Sequence, residues 1–135
     1  MAAVFEKLNL KLQREIVVIN APASFEPELA ALKDVVVLRD AKKAKAFHFA
    51  VAFATKQAEV DALSRVLAAK AEGDALLWFG YPKGTSIRYQ CEFNRDTGWD
   101  VLRRAGFDTV RAVALDEDWS ALRFRRVEFI KVAGK

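Results

Sequence analysis

Four short apolar runs, each closed by a helix breaker or a charge, constrain most strongly what this chain can fold into. Ile16-Val17-Val18-Ile19 is apolar at every position, and so is Val35-Val36-Val37-Leu38. Phe47 to Phe53, interrupted only by His48, and Ala75 to Tyr81 are the third and fourth. A strand with one wet face alternates in polarity, whereas a run without alternation belongs to a strand covered on both faces, as in a parallel sheet. Pro22 and Ser24 break the first run, Arg39-Asp40 ends the second, and Pro82-Lys83-Gly84 closes the fourth.

The segments between them are helical in spacing. Val4, Phe5, Leu8 and Leu12 predict a short N-terminal helix, and the alternation at Leu8, Leu10 and Leu12 leaves a strand open for its second half. Pro27 to Leu32 predicts a short helix with proline in its first turn. Ala41 to Lys45 is too short for a crossover helix of normal length. Thr55 is placed to cap a helix that runs to about Ala71 and ends near Gly73, with Val60, Leu63, Val66 and Leu67 on its core face. Thr97-Gly98-Trp99-Asp100 reads as an imperfect capping box for a helix that stops at Gly106. A fifth strand, Thr109 to Leu115, turns at Asp116-Glu117-Asp118 into a sixth, Ser120 to Phe129. The tail Val132 to Lys135 is expected to fray. Strands alternating with helices imply a mainly parallel sheet with right-handed crossovers, and the last turn is too short for anything but antiparallel neighbours.

The totals agree with one domain over residues 1–135, since 135 residues leave no room for two ordinary ones. An apolar fraction of 53% supplies a core. The net charge of +4 is spread among 18 acidic residues, which is a mixed solvated surface and not the basic stripe of a nucleic-acid binder. Cys91 is the single cysteine, which excludes an intrachain disulfide and a cysteine-cluster metal site and fits a reducing compartment. Glu6, Lys7 and Lys11 interrupt the apolar core that a signal peptide needs, and the longest apolar stretch, Ala46 to Ala54, falls far short of the roughly 20 residues of a membrane span. These features predict a soluble, cytoplasmic protein with no membrane contact and no nucleic-acid partner.

The order of elements in the second half resembles the end of a Rossmann-like methyltransferase, where strand, helix, strand and helix lead into a closing antiparallel hairpin. The fuller chain resembles a family of short uncharacterised bacterial proteins, a domain of unknown function built like a truncated methyltransferase. The shared pattern is Glu6-Lys7-Leu8, Val18-Ile19-Asn20-Ala21-Pro22, Leu76-Leu77-Trp78, Tyr81-Pro82-Lys83, and Asp116-Glu117-Asp118-Trp119-Ser120-Ala121-Leu122-Arg123-Phe124. The resemblance implies a three-layer, Rossmann-like α/β fold. Its mainly parallel six-stranded sheet would have the order 2-1-3-4-6-5, strand 6 antiparallel, with one edge strand and its helix missing. It implies no activity.

Ligands of open α/β sheets bind beyond the carboxyl ends of the parallel strands, near the switch in strand order. A dinucleotide or S-adenosylmethionine site asks for glycines after the first strand, so that backbone approaches the ligand. This chain has Asn20-Ala21-Pro22-Ala23-Ser24 there and no glycine before Gly73, and Pro22 removes an amide donor. The expectation is therefore no cofactor, with S-adenosylmethionine disfavoured. Asp40 stands at the end of the second strand, where an acid can hold ribose hydroxyls. Lys83, Thr85 and Ser86 offer a cation and two hydroxyls around Gly84, a set that can hold phosphate or carboxylate, with Asn20 and Trp119 nearby.

No catalytic residue and no metal site is assigned. His48 is expected to be buried or half-buried in its strand, Cys91 has no activating neighbour in sequence, and Asp96 and Asp100 read as helix caps. Arg123 and Arg125 read as the solvent side of the sixth strand. The leading reading is a non-catalytic Rossmann-like domain that binds a small anionic ligand or a protein partner. The alternatives are a diverged S-adenosylmethionine-dependent methyltransferase and a structural or regulatory module that self-associates as a homodimer.

Overall fold

The computed structural model of the chain describes residues 3–133, so the expected fraying at Gly134 and Lys135 lies outside the described residues. The four apolar runs become β1 (Glu15–Ile19), β2 (Val36–Leu38), β3 (Phe47–Phe53) and β4 (Ala71–Pro82), followed by β5 (Phe107–Ala114) and β6 (Trp119–Arg126). They form one sheet in the order β2-β1-β3-β4-β6-β5, as expected. β1 pairs in parallel with β2 and β3, β3 in parallel with β4, and β6 runs antiparallel to both β4 and β5. The helices are α1 (Ala3–Lys7), α2 (Glu26–Ala30), α3 (Gln57–Lys70), α4 (Asp100–Arg104) and α5 (Val127–Ala133).

The unbroken apolar runs are explained by two cores. Val17 and Ile19 of β1 join Ala50, Ala52, Leu77, Phe79 and Phe124 under Val60 and Leu67 of α3 and Leu102 of α4. Ile16 and Val18 face the other way, toward Phe5, Leu8, Phe25, Leu29, Phe49, Val51, Phe53 and Trp78. Successive residues of a strand point to opposite faces, so a strand between two cores is apolar at every position. Each of these large side chains, fully buried, contributes about 1.5–3 kcal/mol.

The structure departs from the expectations at identifiable places. β2 is not a buried strand: it is the edge, shortened to three residues, and Val36 is 56% exposed. Leu8 and Leu10 are buried, but α1 ends at Lys7, no strand follows, and Leu12 is 89% exposed. Thr55 does not cap α3; the Glu59 carboxylate takes the Thr55 and Lys56 backbone N–H groups at 3.0 and 3.1 Å. Ser64 replaces Val66 on the buried side of that helix. No side-chain bond caps α4 either; just ahead of it the Gln57 side-chain amide donates to the Gly98 carbonyl at 2.8 Å. The sixth strand stops at Arg126, and Val127–Ala133 is helical.

His48 is exposed, contrary to expectation. Between Phe47 and Phe49 the pairing jumps from Ala71 to Leu76, so β4 carries surplus residues here, and Gly73 accommodates them at φ 57°. His48 lies at this irregularity, where the regular inward and outward alternation of the pair is lost.

Candidate functional site

The carboxyl ends of β1, β3 and β4 meet the start of β6 at one edge, and the residues there sort into two separate places. The first surrounds Asn20. Leaving β1, the chain must turn sharply, and Asn20 does so at φ 58°, in the left-handed region where asparagine is one of the few tolerated side chains. Its side-chain amide donates to the Phe53 carbonyl at 3.5 Å. Asn20 and Asp40 line one cleft of about 340 Å³, walled by Leu63 and Val66 of α3. On its other side Asn20 lines a smaller cavity of about 130 Å³ with Phe53, Thr55, Glu59 and Trp119. Val66 is thus displaced from the core because it faces this cleft.

The electrostatics of that cleft leave its acid available. Arg39 is held by Glu26 through two bonds of 2.8 and 2.9 Å, which lowers the Glu26 pKa and occupies the guanidinium. Asp40 accepts one hydrogen bond among the described residues, from the Lys42 N–H to Oδ1 at 2.9 Å, and its side chain is exposed. Trp119 is only 4% exposed, and its indole Nε1 is buried without a hydrogen-bond partner. An orphaned donor of this kind is uncommon in a folded interior.

The second place is a hollow of about 740 Å³ beyond β4, lined by Tyr81, Lys83, Tyr89, Cys91, Arg95 and Ser120 among others. Its rim is the stretch 83–97, which has almost no regular structure yet is fastened down at many points. The Lys83 N–H donates to the Asp118 carbonyl at 2.8 Å, Ser86 Oγ to Asp118 Oδ1 at 2.9 Å, and the Glu92 N–H to the Thr55 carbonyl at 3.0 Å. The Glu92 carboxylate accepts the Gln57 N–H at 2.9 Å, and the Trp99 indole donates to the Asn94 carbonyl at 2.9 Å.

The six expected ligand residues are therefore not one constellation. Lys83 and Ser86 line the hollow, Asn20 and Asp40 share the cleft, and Trp119 joins Asn20 in the small cavity. Thr85 is exposed and lines none of these spaces, and Ser86 is engaged by Asp118 and by the Arg88 and Tyr89 N–H groups. Arg95 and Tyr89 reach the hollow from a stretch without periodicity, so no local pattern marks them. Asp116 organises the edge: Oδ1 accepts the Asp118 and Trp119 N–H groups at 2.8 Å each, and Oδ2 accepts Ser24 Oγ at 2.8 Å. Burial works to raise its pKa, but these bonds and the charge of Lys83 outweigh it and hold the carboxyl below its ordinary value. Among the described residues no three histidine, cysteine or acidic side chains cluster as metal ligands, and no helix is long and apolar enough to cross a membrane.

Solved structures share this frame. A S-adenosylmethionine-dependent methyltransferase from Aquifex aeolicus superposes with a TM-score of 0.58 at 14% identity, over 91% of this chain and 87% of its own. The fold is methyltransferase-like. The pyocyanin biosynthetic protein PhzM matches with a TM-score of 0.60 at 13% identity, and here the chain covers 93% of itself but only 54% of PhzM. The glycopeptide N-methyltransferase MtfA, solved with S-adenosylmethionine, matches with a TM-score of 0.55 at 10% identity over 90% of this chain and 84% of its own. No protein-family model and no curated protein matches the chain. A methyltransferase-like frame with a neighbour that holds S-adenosylmethionine overturns the expectation of no cofactor. That expectation rested on missing glycines, and at the first turn Asn20 adopts the backbone conformation for which glycine is usually required.

Proposed function

We propose that residues 1–135 act as a single domain that binds S-adenosylmethionine and works as a diverged methyltransferase. The observation that carries this reading is Asn20 at φ 58°, standing between a cleft closed by Asp40 and a cavity closed by Trp119. Asp40 would hold the ribose hydroxyls with its free carboxylate oxygen, and Asn20, Thr55 and the unpartnered Trp119 indole would hold the amino-acid end. The donor set fits the group: one acid for hydroxyls, an uncommitted buried donor, and apolar walls from Leu63 and Val66 for the base. Pro22 is the departure, since one amide of the usual loop is missing.

S-adenosylmethionine, when bound, supplies a methyl group activated on a positively charged sulfur. The chain's part is then to bind, orient and exclude water, and most of the rate can come from holding two reactants in line. The same reading extends to the short bacterial proteins that the chain resembles at Tyr81-Pro82-Lys83 and Asp116 to Phe124. Cys91, the single cysteine, fits a reducing compartment such as the cytoplasm. Self-association remains a second reading because β2 leaves an uncovered edge with Val36 exposed; sedimentation over a range of concentrations tests it.

Calorimetric titration of the full chain with S-adenosylmethionine tests the main reading. Binding is expected, and Asp40→Ala should weaken it by about tenfold or more, the loss of about 1.4 kcal/mol. No heat at millimolar cofactor, or an Asp40→Ala variant that binds equally well, would overturn it.

A further inference from the structure

The 740 Å³ hollow beyond β4 shares no lining residue with the Asn20 cleft or the Trp119 cavity. It falls within the range of pockets that hold small molecules. Its walls carry three aromatic rings in different situations. Tyr81 and Phe93 are buried against Trp99, with centroids 6.1 and 5.1 Å from it. Tyr89 is 38% exposed and rests on Trp119 at 4.9 Å, so part of its surface is open while its base is fixed. An exposed ring backed by a buried one is a preorganised platform for another flat ring.

The charges in the hollow are positive on balance. Lys83 makes no ion pair among the described residues and acts on Asp116 only at longer range. Arg95 reaches Asp96 only at 3.8 Å, with its side chain 65% exposed, and such an ion pair contributes little. The one acid among the lining residues, Glu92, is engaged at the start of α3 by the Gln57 N–H. Burial raises the pKa of both Tyr81 and Cys91, so neither adds negative charge at neutral pH and the Tyr81 hydroxyl keeps its proton to donate.

We propose that this hollow binds a small aromatic molecule carrying an anionic head, a carboxylate or a phosphate. Arg95 and Lys83 neutralise the head and the Tyr89 platform takes the ring. The guanidinium offers two parallel donors to either head group, and the ammonium adds a mobile point charge. The tilted contact of Tyr89 with Trp119, centroids 4.9 Å apart, sets this site beside the cavity assigned above to the cofactor. The proposal thus extends that reading by naming the class of acceptor, and it rests on that reading only for the acceptor's role, not for its binding.

The test titrates the full chain, without S-adenosylmethionine, with phenyl phosphate in one arm and benzoate in the other, following tyrosine and tryptophan fluorescence and heat. Saturable binding of either anion is expected, and the tighter of the two assigns the head group. Arg95→Ala and Lys83→Ala should each weaken it by about tenfold, whereas Asp40→Ala should leave it unchanged. Both substitutions are at side chains outside the core, and Arg95→Lys, which keeps the charge, should recover part of the affinity. Failure of both anions to saturate, equal binding of neutral benzyl alcohol, or wild-type affinity in both alanine variants would each overturn the proposal. If those failures occur while S-adenosylmethionine still binds, the acceptor class falls and the cofactor reading stands. If S-adenosylmethionine fails and phenyl phosphate binds, the hollow stands alone.

Discussion

Single residues at the sheet edge carry the tightest constraints. Gly80 lies under the Phe53 ring, and a Cβ there would stand 2.5 Å from Cδ2 and 2.6 Å from Cε2. That ring cannot simply swing away, because Phe25 sits 4.9 Å from it and Trp119 5.5 Å. Gly80→Ala should therefore cost about 1–3 kcal/mol, as overpacking of a filled core does, and urea denaturation of the variant measures it. A variant as stable as the parent would mean that the ring has room to move. Asn20 is constrained differently: its left-handed backbone is visible only in the fold, since Asn-Ala-Pro is equally compatible with an extended exit from the strand. Trp119, named from sequence as a candidate ligand residue, is a core residue with one unsatisfied donor, a combination that residue type alone cannot reveal.

At the level of elements, the sheet depends on what is fastened across it. α1 is a single short helix and could not persist alone in water. It is held because Phe5 and Leu8 are buried and because the Trp78 indole of β4 donates to the Leu8 carbonyl at 2.9 Å. Trp78→Phe should leave that buried carbonyl unpaired at a cost of about 1–3 kcal/mol, before any cavity is counted. Hydrogen exchange should show the effect first at the amides of Leu8 and Leu10, both bonded back to α1, while those of β3 stay protected. Uniform acceleration across the sheet would place the loss elsewhere. The stretch 83–97 is the counterpart at the other edge. It has no hydrophobic period, and its order comes from bonds to Thr55, Gln57 and Asp118, so from sequence it reads only as irregular.

For the whole molecule, the acidic groups set the response to pH. Asp74 is held below its ordinary value by the bidentate Arg125 guanidinium, and Asp116 by three hydrogen bonds and the charge of Lys83 against the opposing effect of burial. A carboxyl whose folded pKa is depressed contributes stability that is complete above its unfolded value, here 3.8, and is lost as pH falls through the folded one. The melting temperature should thus be insensitive to these groups from neutrality to about pH 5 and fall steeply below about pH 4. Asp116→Asn should lower the plateau and flatten the fall. A melting temperature that is constant down to about pH 2 would contradict the assignment.

The sequence by itself determined the frame. Apolar runs without alternation pointed to a mainly parallel sheet, and the short Asp116-Glu117-Asp118 turn required the last pair to be antiparallel. The strand order came from the resemblance to a methyltransferase sheet, and it is the order observed. The edge that gathers the candidate ligand residues was legible too, because it follows from strand direction. Only the tertiary structure decided which of those residues meet. Ser24 and Asp116 are bonded across 92 positions and Gln57 and Glu92 across 35, and no local pattern encodes such pairs. Lys83, Thr85 and Ser86 are close in sequence yet divide, Lys83 and Ser86 lining the hollow and Thr85 facing solvent, whereas Asn20 and Asp40, a strand apart, close one cleft. Periodicity is a property of neighbours along the chain; burial and a binding site are properties of neighbours in space, and only packing the two cores creates those.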